Sequence, residues 1–374
     1  MLFTRCTACA APLPEDAVRC AACATGYCSE RCERYDRRRG GHGKICGAIA
    51  SGGGAEQYQA DKKYDEAVAA AVEECAEDTA GQTCYICLED GSEEGLVRSC
   101  SCRGASGFVH LSCLVRQAQV AVGEAEANNF FGTERGSLRW RRWDTCHLCE
   151  QQYHGIVKYA LGWACWKTYV GRPEADELRG CAMTTLGNGL YDANHMEDAS
   201  SVKEAELSML RRLGAPEENV LAVQGNLACT YQKLGRCEDA VNTFRDVYSG
   251  RLRLYGERHE QSLISANNYA HTLLELRRFE EAKALLRKTV PVARRVLGES
   301  DTLKLTMKWN YARALSEDPA ATHGDLREAV NTLEDAGRTA RRVLGGPHPT
   351  TRGIEVALRD ARAALRARKP PGTA

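Results

Sequence analysis

The sequence predicts a multidomain protein in which two small, metal-stabilised cross-brace modules precede an all-α solenoid. Two observations predict this fold class. Fourteen of the nineteen cysteines fall into two sets with paired spacings, each completed by one histidine, within the first 150 residues. From about residue 181 onward, helical periodicity takes over and short motifs recur 42 residues apart. A fixed period of this length is typical of stacked helical hairpins.

Length, charge and cysteine usage limit the possible classes of protein. A chain of 374 residues favours two or three domains. Its 50 basic and 50 acidic residues cancel, so no global field favours nucleic acid or an anionic membrane. No apolar stretch approaches the roughly 20 residues of a spanning helix, and Cys6 and Cys9 stand where a secretory signal would be apolar. We therefore expect a soluble intracellular protein, cytoplasmic or nuclear, whose paired cysteines bind metal.

Each cysteine set supplies eight sulfur or imidazole ligands, enough for two tetrahedral zinc ions, so we expect four ions in the chain. A Cys-x2-Cys turn, here called a knuckle, supplies two ligands at once, and an i,i+4 pair places two ligands on one face of a short helix. The first set is Cys6, Cys9, Cys20, Cys23, Cys28, Cys32, His42 and Cys46. The second set is Cys84, Cys87, Cys100, Cys102, His110, Cys113, Cys146 and Cys149.

The first set, with Tyr27 just before its fifth ligand, resembles the MYND zinc finger in the spacing of every ligand. The resemblance implies that the ligands interleave. It also implies protein interaction, because MYND modules commonly bind short proline-containing peptides. The basic run 37–39 favours a solvated helix face over a nucleic-acid contact. The implied ligand groups are Cys6, Cys9, Cys28 and Cys32 on one ion, and Cys20, Cys23, His42 and Cys46 on the other.

The order of the second set fits either a RING-CH finger or a PHD finger. The narrow middle pair Cys100-x-Cys102 and the seven residues before His110 favour RING-CH, which the string 100–114 also resembles. A PHD-like histone-tail reader is a distant alternative. The RING-CH resemblance implies a cross-brace with Cys84, Cys87, His110 and Cys113 on one zinc, and Cys100, Cys102, Cys146 and Cys149 on the other.

The RING-CH resemblance implies ubiquitin ligation, in which the module docks a ubiquitin-charged conjugating enzyme and contributes no residue that attacks the substrate. The docking surface of the family is a shallow apolar groove beside the two zinc loops. Ile86 in the first knuckle and Leu148 in the last are candidates for this surface, and Ile86 is favoured. Leu114 is a third candidate for which core packing is favoured, and Trp143, with Trp140, is placed on the groove by conjecture.

Three features depart from the RING-CH pattern. Gln117 occupies the position where the family usually has Trp, Glu150 follows the last ligand where many ligases have a basic residue, and a long insertion covers 114–145. They favour an alternative of a different class, a non-catalytic zinc-finger and repeat scaffold for protein–protein interaction. The leading hypothesis is a RING-type ubiquitin-protein ligase with the conjugating enzyme and protein or peptide ligands as partners.

The repeats resemble tetratricopeptide repeats of the 42-residue kinesin light chain variety. The motif Asn-Leu/Tyr-Ala begins at Asn226, Asn268 and Asn310, and the last unit arrives five residues late, which places an insertion near 319–323. In tetratricopeptide proteins such an Asn often bonds a bound peptide, but it can equally satisfy its own repeat. Both interpretations of these three residues are open.

The predicted domain boundaries follow from these patterns. Cys75, Cys165, Cys181, Cys229 and Cys237 lie outside both sets, and we expect them to be core or incidental thiols. The predicted segments are a MYND-type finger at 1–50, a linker and connecting helix at 51–80, a RING-CH-type finger at 81–155, a transition segment at 156–180, tetratricopeptide-like repeats at 181–368 and a flexible tail at 369–374.

Overall fold

The computed structural model describes residues 5–11, 13–14, 16–102, 104–298 and 301–368. The chain divides into two compact units, Met1–Ala215 and Pro216–Ala374. Among the described residues, no helix combines the length and the apolar composition that crossing a membrane requires. The predicted flexible tail at 369–374 lies outside the described residues.

The first unit contains two short strands and eight α-helices among its described residues. The strands pair in antiparallel register, with Val18 opposite Tyr27. A π-helical turn at Asp36–Gly40 and 3-10 turns at Gly104–Gly107 and Arg141–Trp143 join the longer elements. The elements are β1 Val18–Arg19, β2 Gly26–Tyr27, α1 Glu30–Tyr35, α2 His42–Ser51, α3 Ala55–Thr79, α4 Leu111–Ala127, α5 Glu134–Trp140, α6 Gly155–Tyr169, α7 Glu177–Asp192 and α8 Met196–Arg212.

Helix α3 is the connecting helix that the periodicity of Tyr64, Val68 and Val72 predicts. These three side chains pack against the core, and the fully buried stripe beside them consists of small residues. Ala, with no side chain beyond Cβ, allows the backbones of packed helices to approach closely. Helix α3 therefore packs directly against α6. The small buried residues are Ala60, Ala67, Ala71 and Cys75.

Helix α6 forms the centre of the core of the first unit. Trp163 and Trp166 are each 1% exposed. The same buried cluster contains side chains of α3, α7 and α8 and the ligands Cys84, Cys102 and Cys146 of the second set. Helix α6 therefore shares one core with the second cysteine set and with the first helical hairpin, α7–α8.

The contact between α6 and α7 depends on glycine. A Cβ at Gly189 would lie 2.8 Å from the carbonyl oxygen of Lys158, and one at Gly162 would lie 3.2 Å from the Cα of Leu186. Both neighbours are backbone atoms, which cannot move aside as a flexible side chain can. The two glycines therefore set the distance between the helices.

The second unit is a succession of helical hairpins closed by a single helix. Its recurring alanines are fully buried at the helix crossings, as the 42-residue period predicts. The insertion predicted near 319–323 lies in the loop between α13 and α14. The helices are α9 Glu217–Lys233, α10 Cys237–Tyr255, α11 Glu260–Glu275, α12 Phe279–Val296, α13 Thr302–Ser316, α14 His323–Leu344 and α15 Pro349–Ala367. The recurring alanines, each with 0% exposure, are Ala228, Ala240, Ala270, Ala282, Ala312 and Ala329.

A buried carboxyl group lies between the two helices of the first hairpin. Glu206 on α8 is 3% exposed and accepts a hydrogen bond from the hydroxyl of Thr184 on α7. Burial disfavours its charged form and raises its pKa to about 7, although the Thr184 hydrogen bond and the Lys203 charge act in the opposite direction. The folded unit therefore holds this proton more tightly than the unfolded chain does.

We predict that Gly189→Ala destabilises the first unit by about 1–3 kcal/mol, because the new methyl group overlaps a backbone oxygen. Gly180→Ala on the same helix is the matched control: its Cβ would meet only the flexible end of Met209 at 3.9 Å. This control should raise stability by about 0.5–1 kcal/mol through helix propensity. Thermal and denaturant unfolding measure both, and equal effects of the two changes would contradict the close approach.

We also predict a pH dependence from Glu206. Because its folded pKa of about 7 lies above the reference value of 4.5, its contribution to stability is greatest below pH 4.5 and is lost as pH rises to about 7. The loss amounts to roughly 3 kcal/mol. Glu206→Gln keeps an acceptor for Thr184 without the charge, so its stability advantage over the wild type should be larger at pH 8 than near pH 5.5. Parallel pH profiles of unfolding for the two proteins, with metal present, would exclude this role.

Candidate metal centres

The structure brings all sixteen sequence-predicted ligands together in four groups of four. Within each group the candidate ligand atoms all lie within 4.8 Å of one another. Two groups form from the first set and two from the second, and each group takes ligands from non-adjacent pairs of its set. The groups are Cys6, Cys9, Cys28 and Cys32; Cys20, Cys23, His42 and Cys46; Cys84, Cys87, His110 and Cys113; and Cys100, Cys102, Cys146 and Cys149.

The four knuckles share one backbone conformation. In each, the amide of the first cysteine donates to the carbonyl five residues later, and its carbonyl accepts from the amide four residues later. The residue after the second cysteine has a positive φ in every case. This turn closes the chain around the two sulfur atoms, so the backbone presents both ligands toward one point. The first cysteines are Cys6, Cys20, Cys84 and Cys146, and the positive-φ residues are Ala10, Ala24, Leu88 and Glu150.

Helices supply other ligands. His42 and Cys46 lie one turn apart on α2, and the Nε2 atom of His42 is 3.4 Å from the sulfur of Cys20. His110 immediately precedes α4 and Cys113 lies in its first turn. The Nδ1 atom of His110 is 3.3 Å from the sulfur of Cys87, while its Nε2 lies 2.9 Å from the carbonyl oxygen of Asp90. A hydrogen bond from the outer nitrogen to a carbonyl fixes the tautomer that a metal-binding histidine needs.

The distances fit zinc. A tetrahedron with zinc–sulfur bonds of ~2.3 Å has sulfur–sulfur edges of about 3.8 Å. The sulfur atoms of Cys9 and Cys28 are 3.6 Å apart, and those of Cys102 and Cys146 are 3.7 Å apart. Sulfur and imidazole without carboxylate are ligands that favour zinc over calcium or magnesium. The four groups could therefore hold zinc.

Electrostatics within the protein also favour a cation. Burial opposes ionisation of Cys20, but hydrogen bonds from His42 and from backbone amides outweigh it and lower its pKa to about 6. In the same group, burial and the sulfur of Cys20 raise the pKa of Cys46 to about 11. One thiolate therefore forms readily and its charge resists the next. A divalent cation removes this conflict because it stabilises all the thiolates together.

A shallow groove of about 510 Å³ lies beside the first knuckle of the second set. Ile86 lines it and is 38% exposed, and Val120 on α4 is 46% exposed. Arg139 and Arg142, from the end of the insertion, also line it. Val120 and both arginines are not among the residues predicted from the sequence. The spacing of Val120 three residues after Gln117 on one helix could have indicated it, whereas the path of the insertion could not be read from the sequence.

The four docking candidates separate into two pairs. Ile86 and Leu148 are on the surface, with Leu148 48% exposed. Leu114 and Trp143 are 2% and 1% exposed, and both belong to the core of the first unit. This burial agrees with the core packing favoured for Leu114, and a partner could reach Leu114 or Trp143 only by opening that core. Trp140 also packs inward, donating from its indole nitrogen to Thr185 at 3.3 Å.

Other predicted positions have specific surroundings. Gln117 lines the groove, in the place expected for an aromatic residue. Two further histidines near the last knuckle, His147 and His154, are not members of the four ligand groups. Cys75 and Cys165 are buried core thiols, as expected of cysteines outside both sets.

The three repeated asparagines differ from one another. Asn310 is 2% exposed and donates to the side-chain oxygen of Asn267 in the preceding repeat at 3.0 Å. It therefore satisfies the stacking of the repeats and is not available to a peptide. Asn268 and Asn226 are half-buried. Of the three peptide-groove candidates, these two keep surface that a ligand could reach.

We predict that a chelator unfolds the core of the first unit and spares the second. Four of the five tryptophans, Trp140, Trp143, Trp163 and Trp166, lie in the first unit, and Trp309 lies in the second. Because small metal modules derive much of their folding free energy from the ion, tryptophan emission should shift to the red on chelation while α9–α15 retain their helicity. Fluorescence and circular dichroism measure the two effects. Unchanged emission, or complete loss of helix in one transition, would contradict this prediction.

Two family models match parts of the chain. The model of the RING-variant domain matches residues 84–126, and the model of the tetratricopeptide repeat matches residues 220–295. No curated protein matches the chain significantly.

Solved structures resemble parts of the chain. One crystal structure of a Podosopora anserina protein, with nearly identical TPR-like repeats of the kinesin light chain type, is 22% identical, with a TM-score of 0.45, and covers 51% of this chain and 88% of that chain. BtubC (BKLC) from P. vanneervenii is 14% identical, with a TM-score of 0.38, and covers 71% of this chain and 96% of that chain. The predicted fold class is confirmed by the four Cys/His groups and the family models: small modules suited to zinc are followed by an all-helical, tetratricopeptide-like solenoid.

Proposed function

We propose that the chain is a RING-type ubiquitin-protein ligase. In this proposal the second cysteine set docks a ubiquitin-charged conjugating enzyme, and the helical repeats and the first set select protein substrates. The observation that carries the proposal is the groove beside the first knuckle, where Ile86 is exposed next to helix α4 within the region that matches a RING-variant domain.

The proposed activity needs no nucleophile from this chain. The conjugating enzyme brings ubiquitin as a thioester, and a lysine of the substrate attacks it. The rate then depends on holding the reactants in an attack geometry, which is a task for a rigid surface. The backbone amide of Ile86 donates to the sulfur of Cys84 at 3.4 Å. An ion bound by Cys84 would therefore fix the position of Ile86 directly. Leu148 on the last knuckle is a second exposed apolar side chain for the contact.

The first set has a separate proposed role. We propose that it is a MYND-type finger that holds two zinc ions, which brings the total in the chain to four, and that it binds peptides of partner proteins. The arrangement of its ligands supports this proposal, because Cys28 and Cys32 join the first knuckle while His42 and Cys46 join the second. Tyr27 supports the fold between them, since its hydroxyl donates to Asp36 at 3.0 Å.

One observation favours the alternative of a non-catalytic scaffold. Gln117 lines the groove in place of an aromatic side chain, and Arg116, Arg139 and Arg142 line it with charge. A conjugating enzyme would have to desolvate these groups, which lowers the gain from burying Ile86. Under this alternative the four metal centres only support surfaces for protein interaction.

The decisive experiment is the discharge of ubiquitin from a panel of charged conjugating enzymes, with zinc-loaded protein. We expect Ile86→Glu to reduce discharge at least about tenfold, because it places a charge in the apolar contact. Val356→Glu is the control, since Val356 is 45% exposed on α15 and lies outside the groove. Absence of accelerated discharge with every enzyme of the panel would favour the scaffold instead, as would equal activity of Ile86→Glu and the wild type.

A further inference from the structure

A basic cleft lies between α12 and α14 in the second unit, with α13 as its floor. Helix α13 contacts α11 and α15 as well as α12 and α14. Helices α11, α13 and α15 therefore stack on one another, while α12 and α14 flank α13. The cleft opens between these two flanking helices, on the side of α13 that bears Lys304 and Lys308. The asparagines predicted to bind peptides do not line it.

The charge of the cleft is strongly unbalanced. It has a volume of about 550 Å³, and Asp335 is the one carboxylate among the lining residues that the structure describes. Lys308 is 12% exposed and its ammonium group lies 2.6 Å from Asp335, while the guanidinium of Arg338 is 3.8 Å from the same carboxylate. Lys304 donates to the carbonyl oxygen of Gly298, a neutral acceptor, at 2.6 Å. The cationic lining residues are Arg294, Lys304, Lys308, Arg338 and Arg342.

The single carboxylate of Asp335 cannot neutralise the cations of the described lining. This holds even if Arg342 is left out of the count, because four cations remain. The hydrogen bond from Lys308, and then the charges of Lys308, Arg338 and Arg294, lower the pKa of Asp335 although burial acts against them. Asp335 is therefore fully charged at neutral pH and still leaves an excess of positive charge. Arg294 and Arg338 lie on opposite walls of the cleft and both are exposed. Guanidinium groups in such positions suit carboxylates, which they can bind through two hydrogen bonds.

The cleft continues into a second cavity with a different character. This cavity, of about 410 Å³, shares Arg294, Lys308 and Asp335 with the first. Val290 and Pro291 of α12 supply an apolar wall. Glu328 also lines this cavity, where it accepts from the hydroxyl of Tyr311. A cationic cleft that continues along an apolar wall matches an extended peptide.

We propose that this cleft binds an acidic peptide segment of a partner protein, with Asp or Glu side chains on the basic half and an apolar side chain against Val290 and Pro291. Nucleic acid fits less well. The aromatic side chain among the described lining residues is Tyr311, which is 7% exposed and donates to Glu328 at 2.7 Å, so it offers no surface for base stacking. The proposal deepens the role of the repeats in partner selection, which rests on the proposed function, and does not require ligase activity.

The test is fluorescence anisotropy with the full zinc-loaded chain and a labelled 12-residue peptide of Asp and Glu with a central Leu pair. We expect binding that weakens as salt rises. A peptide with Asn and Gln in place of the acids should bind at least about tenfold more weakly, and so should the acidic peptide to the variant Arg294→Glu/Arg338→Glu. The matched control is Arg245→Glu/Arg366→Glu, which changes the total charge equally at exposed residues outside the cleft.

The outcomes are distinct. Equal loss in the control variant would mean that total charge, not the cleft, holds the peptide, and would overturn the proposal. Equal binding of the acidic and amide peptides would overturn it as well. Tighter binding of a single-stranded oligothymidylate, lost in the same cleft variant, would assign the cleft to nucleic acid instead. Ubiquitin discharge without peptide should be unchanged in Arg294→Glu/Arg338→Glu, so the peptide site and the ligase function succeed or fail separately.

Discussion

The first unit depends on the close approach of thiolates to one another, which only a cation makes favourable. Thiolates gathered within 4.8 Å repel one another, as the opposite pKa directions of Cys20 and Cys46 show. The same ligands are part of a hydrophobic core. Cys84 and Cys146 are 0% and 1% exposed and lie in one cluster with Trp163. Metal binding and apolar burial therefore act on the same residues, and neither is independent of the other in this unit.

The backbone conformation of the knuckles constrains Glu150, the residue that follows the last ligand. Glu150 departs from the basic residue that many ligases have at this position. In the structure it has a φ of 56°, and Leu88, Ala24 and Ala10 occupy the same position in the other knuckles with similar angles. A positive φ costs a non-glycine residue free energy, and the turn that presents two sulfur atoms requires it. Glu150 must therefore adopt this backbone conformation, and this requirement is independent of any contact between its side chain and a partner.

How far the sequence predicts the molecule depends on whether a feature is local. The ligand pairs could be anticipated because knuckle spacing acts over a few residues. Their interleaving into groups of four joins pairs that are distant in sequence, and only the resemblance to MYND and RING-CH fingers implied it. The alanines of the repeats could be anticipated because each hairpin meets its neighbour at the same point. Trp143 could not be placed, since its burial depends on α6, which follows the last knuckle of the second set. Nor could the role of Asn310 be settled, because its partner Asn267 lies one repeat away and outside the recurring motif.

The basic cleft illustrates why net charge is a poor guide to binding. The chain has equal numbers of acidic and basic residues, yet several cations meet the single carboxylate of Asp335 among the described lining residues between α12 and α14. At physiological ionic strength, charges more than ~8 Å apart are largely screened, so a ligand responds to the local excess and not to the total. The groove beside Ile86 has the opposite character, an apolar contact lined in part by charge. Two surfaces with such different chemistry would suit different partners, because binding at the first would gain free energy from opposite charge and binding at the second from the burial of apolar area.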